Sequence, residues 1–275
     1  MRAWEIGFGK QSTVVALSLL LCGCSKVVSI DLNQSNPQVV IEGIVSSQPG
    51  PYYVAMGMTG DYFTPSLDFP SITTATITLS DDVGNHETLK EIYPGLYMAT
   101  TMQGVPGRSY DLHVEANGKA YDAVSAMPLK VPIDSLYTQQ YHEFDGDLVY
   151  NIFVIIHDPP GVQNWYRLEV HSSTGAADSS GGRRFILYSD RLANGLETTF
   201  RIRTSRRSGP GDSVMVRLYT IDKATYDYYR TVNDILGSDR SPTSLAPANP
   251  NTNITNGSLG YFTAYAVDSA GIVLQ

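Results

Sequence analysis

A hairpin pattern in the first half of the chain confines that region to β architecture. Residues 110–115 alternate apolar and polar side chains, which is the pattern of a strand with one buried face. Asn117 and Gly118 follow, and both residue types tolerate the positive φ angles of a two-residue type I′ turn. Residues 119–123 then return as a second short strand. The stretch therefore predicts an antiparallel hairpin.

The same kind of signal precedes the hairpin. Runs of β-branched or alternating residues are separated by clusters of Gly, Pro, Asn and Asp, with a turn signal about every ten residues. These runs are residues 39–45, 52–58 and 74–80. Short strands at this spacing are typical of a β-sandwich. We therefore expect residues 38–128 to form a β-sandwich domain.

A Pro-containing segment at residues 127–132 is predicted to link this domain to a second β-rich domain, residues 129–275. Residues 148–156 are apolar on nearly both faces, which indicates a central strand. Residues 165–171 alternate and are expected to pair with that strand. Further strand candidates are residues 184–188, 198–203, 214–219 and 261–267.

One helix is predicted within this second domain, over residues 222–236. Asp222 is a favourable N-cap, and the following residues contain neither Pro nor Gly until Gly237. Apolar side chains recur at helical spacing, at Tyr226, Tyr229, Val232 and Leu236. We expect this face to pack on the second sheet.

The N-terminal residues carry an export signal. Arg2 and Lys10 precede an apolar run at residues 14–21, which is too short to span a bilayer and suits a signal peptide. The run ends at Leu-Cys-Gly-Cys, which resembles a bacterial lipobox. Because the residue before the lipidated cysteine must be small, Gly23 selects Cys24 over Cys22. We predict a signal peptide at residues 1–23, lipidation at Cys24, and a polar tether at residues 24–37. An ordinary cleaved signal or a membrane-embedded anchor remains open.

The two cysteines do not support other readings. A metal site needs three or four ligands at suitable spacing, and the chain contains no third cysteine. A disulfide between Cys22 and Cys24 would join two positions that are already close in sequence, so it would not stabilise a fold. Two or three acyl chains on one cysteine would anchor the protein firmly to a membrane without spanning it. The predicted location is the outer membrane, with the periplasmic or surface face left open.

The charge balance excludes one class of partner. The net charge is −8, whereas nucleic-acid-binding proteins present a basic face. No nucleic-acid partner is expected. The 18 tyrosines suit either a binding surface or simply β-strands, since tyrosine favours strands.

No catalytic or cofactor motif occurs, so the sequence predicts a protein that is not an enzyme and has neither cofactor nor metal. Residues 142–147 form an acidic cluster that fits either a Ca²⁺ ligand set or an acidic turn. Arg201 and Arg203 share one strand face in a basic region that also contains other arginines. They could engage an acidic partner or phosphates, or form a solvated face. The neighbouring arginines are Arg183, Arg184, Arg206 and Arg207.

Several sequence elements, taken in order, resemble a family. They are residues 39–45, Gly95-Leu96-Tyr97, residues 107–110, residues 127–135, His157-Asp158-Pro159 with residues 165–168, the Tyr-rich helix, and Asn253-Ile254 with residues 257–262. The chain resembles a Bacteroidota outer-membrane lipoprotein family of unknown function, often encoded beside TonB-dependent receptors. The resemblance implies an N-terminal immunoglobulin-like or carboxypeptidase-regulatory-like sandwich followed by a second β-rich domain. It transfers no catalytic or binding residue.

These observations lead to two functional hypotheses. The first is an envelope lipoprotein that serves as accessory or binding partner of a TonB-dependent receptor in nutrient uptake. The second is a stand-alone glycan- or peptide-binding lipoprotein, with Trp165 as an aromatic stacking platform and Arg201 and Arg203 as further ligand contacts.

Acidic residues often follow the lipidated cysteine in surface-displayed lipoproteins, whereas here the first acid after Cys24 is Asp31. This difference counts against display on the cell surface and leaves the periplasmic face open.

Overall fold

The structure is a computed structural model that describes residues 37–60, 70–143, 146–173, 185–204, 208–238 and 249–275. β-Strands dominate these residues, and one α-helix and a 3-10 turn at Asp190–Leu192 accompany them. Residues 1–36, which include the predicted signal peptide and Cys24, lie outside the described residues. No helix in the described ranges has both the length and the apolar character that a membrane crossing requires.

The described residues of the first half of the chain form eight strands. They are β1 (Val39–Ser46), β2 (Tyr52–Met58), β3 (Thr76–Asp81), β4 (His86–Thr88), β5 (Lys90–Tyr93), β6 (Leu96–Ala99), β7 (Ser109–Ala116) and β8 (Lys119–Ala126). In the second half, the residues that the structure describes form seven strands and the helix. They are β9 (Ser135–His142), β10 (Leu148–His157), β11 (Trp165–Ser172), β12 (Ile186–Ser189), β13 (Glu197–Arg203), β14 (Ser213–Ile221), α1 (Lys223–Ser238) and β15 (Leu259–Val273).

These strands form three sheets. Sheet I has eight strands in the order β12-β11-β14-β15-β1-β2-β6-β5. Sheet II has four strands, β4-β3-β7-β8, and sheet III has three, β13-β10-β9. Sheet II packs on one half of sheet I to form the first sandwich, and sheet III packs on the other half to form the second sandwich.

Each sandwich encloses its own apolar core because inward-facing residues alternate along its strands. In the first core, Ile77 and Leu112 of sheet II face Ile41, Tyr97 and Phe262 of sheet I. The second core is built in the same way. Its centre contains Ile152 and Val154 of sheet III with Tyr166, Leu168 and Val216 of sheet I. Burial of each such side chain contributes about 1.5–3 kcal/mol to stability.

The long strand β15 belongs to both sandwiches. Residues 259–265 pair in parallel with β1, and residues 266–273 pair antiparallel with β14. Gly260 has a φ of +89°, and a Cβ at this position would overlap the carbonyl oxygen of Ile41. Glycine is therefore required where the last strand enters sheet I beside β1. The predicted domain boundary at residues 128–129 stays a prediction, while β15 ties the two halves of the chain into one sheet.

Several sequence predictions are confirmed. The chain is mainly β, with sandwiches and a helix, as predicted. The predicted hairpin is β7 and β8, and its turn residues Asn117 and Gly118 have φ angles of +52° and +71°. The run at 148–156 is the central strand β10 of sheet III.

One pairing prediction is wrong. β11 does not pair with β10; it pairs with β12 and β14 in sheet I. Both edges of β10 are occupied by β9 and β13, so no edge remains for β11. The connection that begins at Asp158-Pro159-Pro160-Gly161 instead carries the chain across the core to the opposite sheet.

The predicted helix is confirmed as α1, and its end lies two residues later than expected. The Asp222 side chain caps it, since Oδ1 accepts a hydrogen bond from the Thr225 backbone nitrogen at 2.7 Å. Oδ2 of the same carboxylate accepts from Ser125 Oγ at 2.8 Å. The helix lies on the outer face of sheet I, where Tyr228 stacks on Tyr261 at 4.4 Å between ring centroids.

Candidate functional site

Sheet III turns one face to solvent, and this face is built by simple strand alternation. Along β10, Ile152, Val154 and Ile156 point into the second core, so the residues between them point outward. Along β13, Phe200 and Ile202 are buried while the arginines on either side of Ile202 are exposed. None of the other described elements covers this outward surface, which leaves its side chains half-buried or exposed.

The register of the three strands arranges the outward side chains in rows. Tyr137 on β9, Phe153 on β10 and Arg201 on β13 lie directly opposite one another. The next row consists of Gln139, Asn151 and Arg203 in the same strand order. We call these six residues the open face. The face thus combines an aromatic pair, two amides and two guanidinium groups on a rigid β scaffold.

The aromatic pair has a defined geometry. The rings of Tyr137 and Phe153 are nearly parallel, with an interplanar angle of 7° and centroids 4.8 Å apart. Tyr137 remains 44% exposed despite this stacking. Because each ring covers one face of the other, the pair presents ring edges and its outer faces to a partner.

The two arginines of the face differ in their surroundings. Arg203 forms an ion pair with Glu143 at the end of the β9–β10 hairpin. Arg201 makes no hydrogen bond or ion pair with the residues that the structure describes, and its side chain is exposed. A guanidinium that is not already paired is available to a carboxylate or phosphate of a partner.

A histidine with two carboxylates lies further along the same strands. His157 Nδ1 is 2.7 Å from Asp134 Oδ2, and Nε2 is 3.4 Å from Glu197 Oε2. The hydrogen bond to Asp134 raises the pKa of His157 above its ordinary value. All three side chains are substantially exposed, so this group is a surface ion-pair network at the end of the open face.

The structure brings together two of the three predicted ligand contacts. Arg201 and Arg203 share the open face, as their spacing predicted. Trp165 is elsewhere: it begins β11 in sheet I and packs, partly buried, against a satellite cluster that includes Tyr219 and Tyr226. It therefore cannot act together with the two arginines at one small-molecule site.

Sequence reasoning missed the other members of the open face. The sequence of residues 135–142 does not indicate a strand, because neither face of β9 is strongly apolar. The local pattern therefore gives no sign that Tyr137 and Gln139 share a sheet face. Phe153 and Asn151 were hidden inside a run whose apolar character suggested burial on both faces. The alternation of Ile152, Val154 and Ile156 with these two residues was the available signal.

The described residues of the acidic cluster, 142–143 and 146–147, lie where β9 ends and β10 begins. The Glu143 backbone nitrogen donates to the Asp147 carbonyl, and the Gly146 nitrogen donates to the Glu143 carbonyl, both at 2.9 Å. Asp145 lies outside the described residues. Within the described ranges, no group of three or more His, Cys, Asp or Glu side chains is arranged to hold a metal ion.

Sheet I also turns a face outward in the second sandwich, and α1 covers it. Arg167 on β11 lies beneath the helix with its guanidinium carbon 4.3 Å from the Tyr219 ring and 4.4 Å from the Tyr229 ring. Its Nη2 is 3.1 Å from Glu169 Oε1, and Tyr219 donates a hydrogen bond to the other Glu169 oxygen at 2.9 Å. We call this group of four residues the covered face.

These features define a two-sandwich β protein with one covered and one open sheet face. The chain belongs to the DUF4249 family, a domain of unknown function, whose model matches residues 25–270. No relative was found among curated proteins.

Two solved structures show weak similarity. A segment of two fibronectin type-III domains from chicken tenascin is 12% identical with a TM-score of 0.22, covering 68% of this chain and 92% of that one. The adhesin InvE of Yersinia pseudotuberculosis is 15% identical with a TM-score of 0.20, covering 66% of this chain and 55% of that one. Both TM-scores are too low to indicate a shared overall arrangement.

Proposed function

We propose that the protein is a lipid-anchored, non-catalytic component of a bacterial cell envelope that binds a TonB-dependent outer-membrane receptor as an accessory in nutrient uptake. In this proposal Cys24 carries the acyl chains, and the described β region works as the binding part. The open face contacts the receptor.

The open face is the observation that carries the binding role. Tyrosine and arginine are enriched among the residues that dominate binding energy at protein interfaces. Here Tyr137 and Arg201 lie in one row on a rigid sheet, exposed on the surface of an acidic protein. A flat, three-stranded surface with stacked rings suits a broad protein partner better than a deep pocket would.

The sequence supports the envelope part of the proposal. The positive residues, the apolar run at 14–21 and the Gly23-Cys24 pair together match the requirements of a lipoprotein signal. The association with Bacteroidota and with neighbouring TonB-dependent receptors comes from the family resemblance, and the proposal extends it to this chain.

A second candidate function is stand-alone binding of a glycan or peptide. The row of Gln139, Asn151 and Arg203 favours it, because amide and guanidinium donors beside aromatic rings are suited to sugar hydroxyls or peptide carbonyls. The mutual stacking of Tyr137 and Phe153 counts against a sugar platform, since it occupies one face of each ring.

Lipidation is tested by metabolic labelling with radioactive palmitate. The wild type is expected to incorporate label, and Cys24→Ala is expected to lose it, while Cys22→Ala serves as the matched control. Label that persists in Cys24→Ala and disappears in Cys22→Ala would move the anchor to Cys22.

The receptor role is tested by a pull-down of the tagged full chain from outer membranes in mild detergent, with partners identified by mass spectrometry. A TonB-dependent receptor recovered in stoichiometric amount supports the proposal. If the protein is recovered alone and instead binds an immobilised polysaccharide or peptide, the second candidate replaces it.

A further inference from the structure

Two carboxyl groups are enclosed where the loop between β10 and β11 meets the loop between β12 and β13. Asp158 is 3% exposed and Asp190 is fully buried. No Lys, Arg or His within the described ranges forms an ion pair with either carboxylate. Buried carboxylates are expected to have a compensating charge, so this arrangement requires an explanation.

Hydrogen bonds hold both carboxylates in place without supplying that charge. Asp158 Oδ2 accepts from the Gly195 backbone nitrogen at 2.8 Å, and Oδ1 accepts from the Tyr166 hydroxyl. Asp190 Oδ2 accepts from the Asn164 backbone nitrogen and from Asn194 Nδ2, both at 2.9 Å. All four donors are neutral groups.

The two carboxyl groups also approach each other. The adjacent residues Asn194 and Gly195 donate to Asp190 and Asp158 respectively, and the remaining oxygen of Asp190, Oδ1, receives no hydrogen bond from a donor in the described residues. Two buried carboxylates side by side repel each other when both are charged, and either a cation or a shared proton relieves this repulsion.

A separate observation distinguishes between a cation and a proton. Asn164 is 6% exposed, and its amide oxygen has no hydrogen-bond partner in the described part of the chain. Buried polar side chains are normally satisfied. The backbone nitrogen of Asn164 donates a hydrogen bond to Asp190 Oδ2, so this residue lies next to the acid pair. A proton shared between the two acids satisfies only Asp190 Oδ1, whereas a cation bound beside Asp190 would take both unpartnered oxygens as ligands.

We propose that Asp158, Asp190 and Asn164 form a Ca²⁺ site at this loop junction. Carboxylate and amide oxygens are hard ligands, and two carboxylates balance the charge of one divalent ion. Calcium takes about six to eight oxygen ligands, so water and backbone carbonyls would complete the shell.

The site would fix the tip of the second sandwich. The same two loops expose three apolar side chains, Val162, Leu192 and Leu196. Asn194 connects the loops directly, because it donates to the Val162 carbonyl and to Asp190. A bound cation would therefore lock both loops together. This inference does not rest on the proposed receptor role.

The first test uses Tb³⁺ as a luminescent probe of the site in the full chain. Trp165 follows Asn164 directly, so it is positioned to sensitise Tb³⁺ emission. We expect emission on adding TbCl₃ to chelator-treated protein and its loss on adding CaCl₂. We also expect saturating Ca²⁺, at about a hundredfold excess over its dissociation constant, to raise the Tm by about 5 °C.

Matched variants locate the effect. Asp190→Asn should abolish the sensitised emission and the Ca²⁺-induced rise in Tm, and Asn164→Ala should weaken Ca²⁺ binding about tenfold by removing one ligand. Asp111→Asn, which removes an exposed acid of the first sandwich, should respond like the wild type. Because Asn164→Ala leaves the backbone bond to Asp190 intact, it remains informative if Asp190→Asn does not fold.

Two results would overturn the site. One is a wild type that shows neither emission with Tb³⁺ nor a change in Tm at roughly millimolar Ca²⁺, the range of weak extracellular calcium modules. The other is an Asp190→Asn variant that is more stable than the wild type at neutral pH and still responds to Ca²⁺ like the wild type. That second result would assign the acid pair to a shared proton.

Discussion

The covered face and the open face of the second sandwich are made from similar residues with opposite accessibility. On the covered face, Arg167 lies between the rings of Tyr219 and Tyr229 and pairs with Glu169, with 9% of its side chain exposed. On the open face, Arg201 lies across from Phe153 and is exposed. The helix α1 accounts for the difference, since it covers sheet I and leaves sheet III bare.

The arginine of the covered face contributes to the stability of the fold, whereas the arginine of the open face is available for binding. A desolvated guanidinium between aromatic rings gains about 2 kcal/mol or more, and an exposed one gains much less. The covered face uses its arginine within the fold, where no partner can reach it. The open face leaves its arginine available, at little benefit to the fold, which is the arrangement expected of a binding surface.

The largest expected effect is on the covered face. Arg167→Met should lower the free energy of unfolding by about 3 kcal/mol, because it leaves Glu169 without its cation in a partly buried site. Chemical denaturation measures the change. The matched control is Arg201→Met on the open face, expected to stay within about 0.5 kcal/mol of the wild type. Equal losses in the two variants would remove the distinction between the faces.

The next effect concerns the helix that covers sheet I. Tyr229→Ala should cost about 2 kcal/mol, since the ring contacts Arg167 and packs edge-on against Phe185 with centroids 5.1 Å apart. Thermal unfolding followed by circular dichroism measures this loss. A change below about 0.5 kcal/mol, the usual range for surface positions, would mean that α1 is not needed to close the covered face.

A smaller effect is expected from the aromatic pair of the open face. Tyr137→Ala should cost about 1 kcal/mol through loss of stacking on Phe153. Tyr53→Ala is the control, because Tyr53 is 43% exposed on β2 in the first sandwich, close to the 44% of Tyr137. The control should lose less than Tyr137→Ala. The reverse order would show that the stacked geometry contributes little.

The smallest effect is on pH dependence at the end of the open face. The hydrogen bond to Asp134 raises the pKa of folded His157 above its unfolded value. Its stabilising contribution is thus complete below the unfolded pKa and is lost as the pH rises through the folded pKa. Asp134→Asn should move the pKa of His157 back toward its ordinary value in an NMR titration. Asp111→Asn, at a distant exposed acid, should leave the titration unchanged.

Much of the fold could be predicted because local patterns determine it. The Asn117-Gly118 turn, the alternation in β3 and the N-cap at Asp222 each depend on residues a few positions apart. The partner of β11 could not be predicted in this way, because its position depends on which strand edges are already occupied. The pairing of β15 with β1 in its first half and with β14 in its second half could not be predicted either, since nothing in its sequence marks the change of partner.

Only part of the open face could be predicted from the sequence, for a related reason. The spacing of Arg201 and Arg203 correctly placed both on one face. The other four residues of this face lie on β9 and β10. Their alignment with the arginines depends on how the strands pair in the folded protein and not on local sequence. Trp165 is a predicted ligand contact because it is aromatic. Its position under α1 depends on which sheet β11 joins, and the local sequence does not determine this.

The most direct test of the account compares receptor capture by two charge reversals. Arg201→Glu changes the open face, and Lys119→Glu changes an exposed lysine at the start of β8 in the first sandwich. If the open face binds the receptor, Arg201→Glu should reduce the receptor recovered per mole of bait at least tenfold, about 1.4 kcal/mol, while Lys119→Glu matches the wild type. Wild-type recovery by Arg201→Glu would contradict the assignment of the open face as the binding surface.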